Sequence, residues 1–133
     1  MERLENIISM LSPMLKNAQY KKNRLTWYKD NEHISVVFSI QKSQYSVDSW
    51  YYIFGICLHE ITSTNKHSIN SCQITYRIDN TANNCHLSSE SIFNLIVRWE
   101  ELYGNLQLLK QKAITGKLPG QCMVNAIRYL TTI

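Results

Sequence analysis

A chain of 133 residues has room for one domain and too little for two cores of ordinary size. With 44% apolar and 18% charged residues, four Gly and two Pro, it is neither a disordered nor a collagen-like or linker-rich chain. The net charge of +4 is modest, and no apolar run approaches the ~20 residues of a membrane span, so a cytoplasmic protein with no membrane association is expected.

From Glu2 to Ala18, the residues Leu4, Ile7, Ile8, Leu11, Met14 and Leu15 recur at three- and four-residue steps, which predicts a helix with one apolar stripe. Pro13 follows Ser12, a capping residue, so a kink or a two-part helix is expected there. A basic stretch follows, with Lys16, Lys21, Lys22, Arg24 and Lys29 ahead of the next acid at Asp30. The period then changes to two. Residues Arg24–Lys29 read as a strand, Asp30-Asn31-Glu32 as a turn, and His33–Lys42 as the second arm of a hairpin. In that arm Ile34, Val36, Phe38 and Ile40 alternate with Ser35, Val37, Ser39 and Gln41, the pattern of a sheet with one dry and one wetter face.

Lys42–Ser49 is a polar connection. Trp50–His59 is apolar on both faces, as a central strand is, and Gly55 within it marks a bulge or a gap filled by a bulky neighbour on the next strand. After a polar loop at 61–70, Cys72, Ile74, Tyr76 and Ile78 alternate with Gln73, Thr75 and Arg77 as a fourth strand, which ends across Asp79–Asn84. A long helix starts near Ser88-Ser89-Glu90 and carries Ile92, Leu95, Ile96, Trp99, Leu102 and Tyr103, then Leu106 and Leu109, on one stripe, with Lys110 and Lys112 in its last turn. Gly116, Pro119 and Gly120 break the pattern before a short final helix over Cys122–Leu130. The expected fold is α+β: an antiparallel four-stranded sheet with the N-terminal helix and one long plus one short C-terminal helix packed on one face, in a single domain over 1–133.

Chemistry is less legible. Cys57, Cys72, Cys85 and Cys122 form no paired knuckle of the C-x-x-C kind and read as buried thiols. His59-Glu60 lacks the second histidine of a zinc-protease helix, Ser63 standing in its place, and His33, His67 and His86 are scattered among turns and loops. No serine sits in a nucleophile elbow and no glycine-rich phosphate loop is present, so neither cofactor nor metal is expected.

Two polar groupings remain. The wetter sheet face gathers Ser39, Gln41, Gln73, Thr75 and Arg77, beside Lys42 and Ser43. Amides and a guanidinium there suit directional hydrogen bonds to a partner. The second grouping is Lys21, Lys22 and Arg24 with Trp27 and Tyr28, where cations interleave with aromatics as in single-strand nucleic-acid binders. Alternation turns at least one of the two rings inward. An unpartnered part of the long helix at Trp99 or Tyr103 offers a homodimer contact, with packing on the sheet as the simpler use.

Tyr20-Lys21-Lys22, Thr26–Lys29, Ile40–Ser46, Phe54-Gly55-Ile56 and Cys72–Ile78 together resemble the bacterial DUF4304 domain family over roughly residues 2–80. That family shows a "GFKKK" element where Ala18–Lys22 stands, an "NLG" element at Ile53-Phe54-Gly55, and a "QKS" element kept as Gln41-Lys42-Ser43. The resemblance brings no activity with it and adds weight to the sheet face. The predicted architecture is also similar to small immunity proteins of bacterial toxin systems, a fold-level analogy. The leading expectation is a non-catalytic module that recognises a protein partner through the polar sheet face, as an immunity-like or regulatory protein. Single-stranded nucleic-acid binding through residues 16–29 is the alternative, and an enzyme with an unrecognised site is the third reading.

Overall fold

The computed structural model describes residues 4–44, 49–62, 67–80 and 87–132, with the side chains of Asp79 and Asn80 excepted. Cys85 and His86 lie outside the described residues. The elements run α1 (Leu4–Asn17), β1 (Lys21–Asn23), β2 (Thr26–Asp30), β3 (Ile34–Lys42), β4 (Trp50–Leu58), a 3-10 turn (Ile69–Ser71), β5 (Ile74–Asn80), α2 (Ser89–Tyr103), α3 (Leu106–Ile114), β6 (Gln121–Cys122) and α4 (Val124–Thr132). The α+β class is as read from the sequence, but the sheet has six strands rather than four. It is an antiparallel meander in which each strand pairs with its sequence neighbours.

The two additional strands are short edges. β1 folds back on β2 through a turn at Arg24, whose φ of 58° is in the left-handed region. The basic segment therefore contains an edge strand. β6 pairs only with Ile74 and Thr75 and is entered through Gly120 at φ 56°. A Cβ on Gly120 would lie 2.0 Å from the Thr75 carbonyl, so glycine is needed for that approach.

All four α-helices feed one core on one side of the sheet. Ile7, Leu11 and Leu15 of α1, Ile92 and Ile96 of α2, Leu109 of α3, and Ala126 and Leu130 of α4 meet Phe38, Tyr52, Phe54 and Ile56. α1 continues through Pro13, and Ser12 donates its hydroxyl to the Ile8 carbonyl (2.8 Å) instead of capping a second helix. Its buried stripe spans both sides of Pro13, and burial of that stripe outweighs the one backbone bond that proline removes. The expected long helix is two helices. Gly104 donates back to the Glu100 carbonyl (2.8 Å), and the Asn105 side chain accepts from Gln107 N–H and Leu108 N–H (2.8 and 3.2 Å) to open α3. No helix among the described residues is long and apolar enough to cross a membrane.

The second sheet face is partly covered. The connection after β4 returns over it and plants the 3-10 turn there, so that Val37, Cys57 and Cys72 form a small buried cluster with Tyr28 and Ile69. Gly55 makes no bulge: it pairs in register with Val37 and Thr75. A Cβ on it would stand 2.7 Å from Ile69 Cδ1 and 2.8 Å from Cys72 Sγ. The filler expected from the neighbouring strand comes from the returning connection instead.

Candidate functional site

Register decides which side chains of the second face share a neighbourhood. Thr26, Ser39, Ile53 and Arg77 form one row across four strands. Gln41 lies opposite Tyr51 in the next row, while Thr75 lies between Gly55 and Gln121 in the row on the other side. The 3-10 turn covers the face near Val37 and Cys57 and leaves these rows as a groove of about 570 Å³, lined by Gln41, Ile53, Thr75, Arg77, Gln121 and Met123 among others. A second hollow of about 320 Å³ shares Gln41 and Arg77 and adds Lys42, Gln44 and Tyr51. The Arg77 guanidinium lies over the Tyr51 ring, 4.6 Å from its centroid, which holds the cation above the groove floor.

Of the residues singled out in the sequence, the structure brings Gln41, Lys42, Thr75 and Arg77 together. Ser43 closes the neighbouring connection, its N–H donating to the Ser49 carbonyl (3.0 Å). Gln73 is not among the groove residues: it is only 4% exposed and bonds to the end of β4 and to the returning connection. It accepts from Leu58 N–H (2.8 Å) and donates to the Ser71 carbonyl (3.0 Å) and to the Thr62 hydroxyl. Tyr51 is one of the strand tyrosines that alternation turns to this face, whereas Gln121 and Met123, which the sequence reading passed over, arrive through a two-residue strand that no period announces.

The basic segment is arranged differently. Trp27 is buried in the main core against Phe38 (5.7 Å between centroids), with the Lys22 ammonium 5.4 Å from its ring centroid. Tyr28 points to the opposite face and is stacked under His67, 3.8 Å between centroids. Lys21, Lys22 and Arg24 are exposed, but neither aromatic presents an open face to a base. Trp99 is likewise in the core and Tyr103 is partly buried against it, so both rings pack inward toward the sheet.

One cluster of titratable groups joins the returning connection to the sheet. His59 donates from Nδ1 to the Glu32 carbonyl (3.2 Å), and its Nε2 lies 2.9 Å from Ser35 Oγ. Ser35 donates its hydroxyl to Asp30, whose carboxylate also meets His67 Nε2 at 2.9 Å. The serine is thus in the middle and its proton goes to a carboxylate. A nucleophile needs the imidazole to take that proton, and at 1% exposure this hydroxyl is closed to a substrate. Among the described residues no group of three or more His, Cys, Asp and Glu side chains is placed to hold a metal ion. Cys57 and Cys72 are buried and free. The hydrogen bond between their thiols, then burial, hold the Cys72 thiol well above the usual thiol range, the opposite of an activated nucleophile.

The family model for DUF4304, a domain of unknown function, matches residues 11–111, which extends the expected match through α2 and into α3. No curated protein and no solved structure matches the chain.

Proposed function

The chain belongs to the DUF4304 family, and from its surface we propose a non-catalytic module that recognises a protein partner through the groove on the second sheet face, in an immunity-like or regulatory role. The observation that carries this reading is the mixed character of the groove. Gln41, Thr75, Arg77 and Gln121 offer directional donors and acceptors, while Ile53 and Met123 add apolar floor and wall. The apolar part continues onto α4: Met123 is 50% exposed, Val124 64%, and Ile127 stands one helical turn further on. Apolar anchors beside an arginine and a tyrosine are the usual composition of a protein–protein hot spot. The exposed lysines of β1 have a second use, since charge on a short edge strand keeps it from pairing with other chains. That use weakens the nucleic-acid reading.

The test captures partners with the full chain from the cells that express it, identifies them, and then measures affinity with the purified pair. Gln41→Ala and Arg77→Ala should each weaken that complex about tenfold or more, while Lys21→Ala/Lys22→Ala leaves it within about twofold. The result that overturns the proposal is tight binding of a 20-nucleotide single strand that falls steeply with salt and disappears in the Lys21→Ala/Lys22→Ala variant.

A further inference from the structure

On the helix side of the sheet, away from the groove, the C-terminal half of α2, strand β5 and the loop at Pro119 enclose a cleft of about 200 Å³. Its walls are almost wholly apolar: Phe54, Tyr76, Ile78, Leu95, Trp99 and Leu102 contribute most of them. The α2 residues at 95, 98, 99 and 102 share one helical stripe, and that stripe faces β5. Water in such a hollow finds few polar partners, so an apolar body displaces it at little cost.

The walls are fixed in advance. The Trp99 indole N–H donates to the Gly55 carbonyl (3.2 Å), and Tyr103 meets the Trp99 ring edge-on at 4.8 Å between centroids. Lys112 stands 5.5 Å from the centroid of the Tyr103 ring and adds positive charge nearby. Tyr76 lies roughly parallel to Trp99, 6.5 Å away, and remains 46% exposed, so an aromatic face is presented at the mouth. Arg98 is the one charged side chain lining the cleft, and it makes no ion pair among the described residues. A dry, ring-sized hollow with a single guanidinium at its edge is complementary to a flat apolar group carrying an anion.

We infer that this cleft is a binding site for a small aromatic carboxylate, its ring between Tyr76 and the α2 stripe and its carboxylate paired with Arg98. The cleft opens on the helix side of the sheet and shares only Tyr76 with the lining of the partner groove, and neither reading depends on the other.

The probe is 3-phenylpropionate, with the neutral 3-phenylpropan-1-ol as control, added to the full chain and followed by the indole N–H signal of Trp99 in a two-dimensional NMR spectrum. A ligand of this size should bind with Kd on the order of 1 mM or tighter. The acid should bind about tenfold more tightly than the alcohol. Arg98→Met, which keeps the length and removes the charge, should erase that preference without abolishing binding of the alcohol. Leu102→Trp should fill the cleft and remove both, in a protein whose other indole signals and melting temperature show it folded. No saturable shift at 10-fold the expected Kd, equal binding of acid and alcohol, or a preference that survives Arg98→Met would each overturn the assignment.

Discussion

The amide of Gln73 joins the end of β4, the returning connection and the start of β5. It accepts from the Leu58 N–H and donates to the Ser71 carbonyl and the Thr62 hydroxyl, all within a largely dry space. Gln73→Leu keeps much of the volume and leaves the Leu58 N–H without its partner, while the Ser71 carbonyl keeps the Thr62 hydroxyl. A buried unpaired donor or acceptor costs about 1–3 kcal/mol, so the variant should lose about 2–3 kcal/mol in urea unfolding. A loss below about 0.5 kcal/mol would show that water replaces the amide. Alternation along Cys72–Ile78 groups Gln73 with Thr75 and Cys72 with Ile74, but Cys72 is buried with Val37 and Cys57 on the second face, so the alternation breaks at the start of β5. The strand's period gives no sign of the returning connection, which has no period of its own. Gln41, Thr75 and Arg77 line the groove, whereas Gln73 does not.

That returning connection, between Leu58 and Ile74, is an element in its own right although among its described residues only Ile69–Ser71 is helical. It packs Ile69 and Cys72 into the gap at Gly55 and Ile61 against the main core, and polar contacts to β2 and β3 hold it further. Ser35 is the shared link, bonded to Asp30 on β2 and to His59 at the start of the connection, and His67 closes the other end on Asp30 and Tyr28. These contacts join residues that are far apart in sequence, and no local spacing encodes them. Lost polar bonds near a partly exposed carboxylate cost about 1 kcal/mol, so Ser35→Ala should raise the open population of the connection about fivefold. Labelling of Cys57 and Cys72 by a thiol reagent, read by peptide mass, measures that opening, because both thiols lie beneath it. Unchanged labelling rates would mean that the Ser35 contacts do not hold the connection down. The break between α2 and α3 belongs to the same scale. Gly104-Asn105 is a plain stop-and-cap signal, but the apolar stripe from Ile92 to Leu109 runs through it, and periodicity alone joins two helices into one.

At the scale of the whole molecule, the α+β class and the antiparallel sheet were readable because strands β2 to β5 and the amphipathic helices each carry a clear period, whereas strand order was not. Nor were the edges, since three and two residues are too few for any period to show. One polar cluster that ties the helical layer to the N-terminal edge of the sheet centres on Glu100. The Tyr20 hydroxyl donates to Glu100 Oε1 of α2 (2.8 Å), and the Lys29 ammonium on β2 bonds both carboxylate oxygens at 3.0 Å while lying 5.0 Å from the Tyr20 ring centroid. Burial first, and then the Glu100 carboxylate, hold the Tyr20 hydroxyl far above the usual tyrosine range. The folded protein therefore keeps a proton that the unfolded chain gives up near pH 10. Its contribution to stability is complete below that pH and is lost as the pH rises past it. The raised Cys72 thiol acts in the same direction from about pH 8.5. Tyr20→Phe removes one hydrogen bond to a charged group and should cost about 1.5 kcal/mol at pH 7. It leaves Cys72 in place, so the difference between the two proteins isolates the tyrosine. Urea midpoints should then converge between about pH 10 and 11, the wild type falling more steeply than the variant. Parallel curves across that interval would mean that Tyr20 ionises as readily in the folded protein as in the unfolded chain, and that the tie to Glu100 carries none of the alkaline sensitivity.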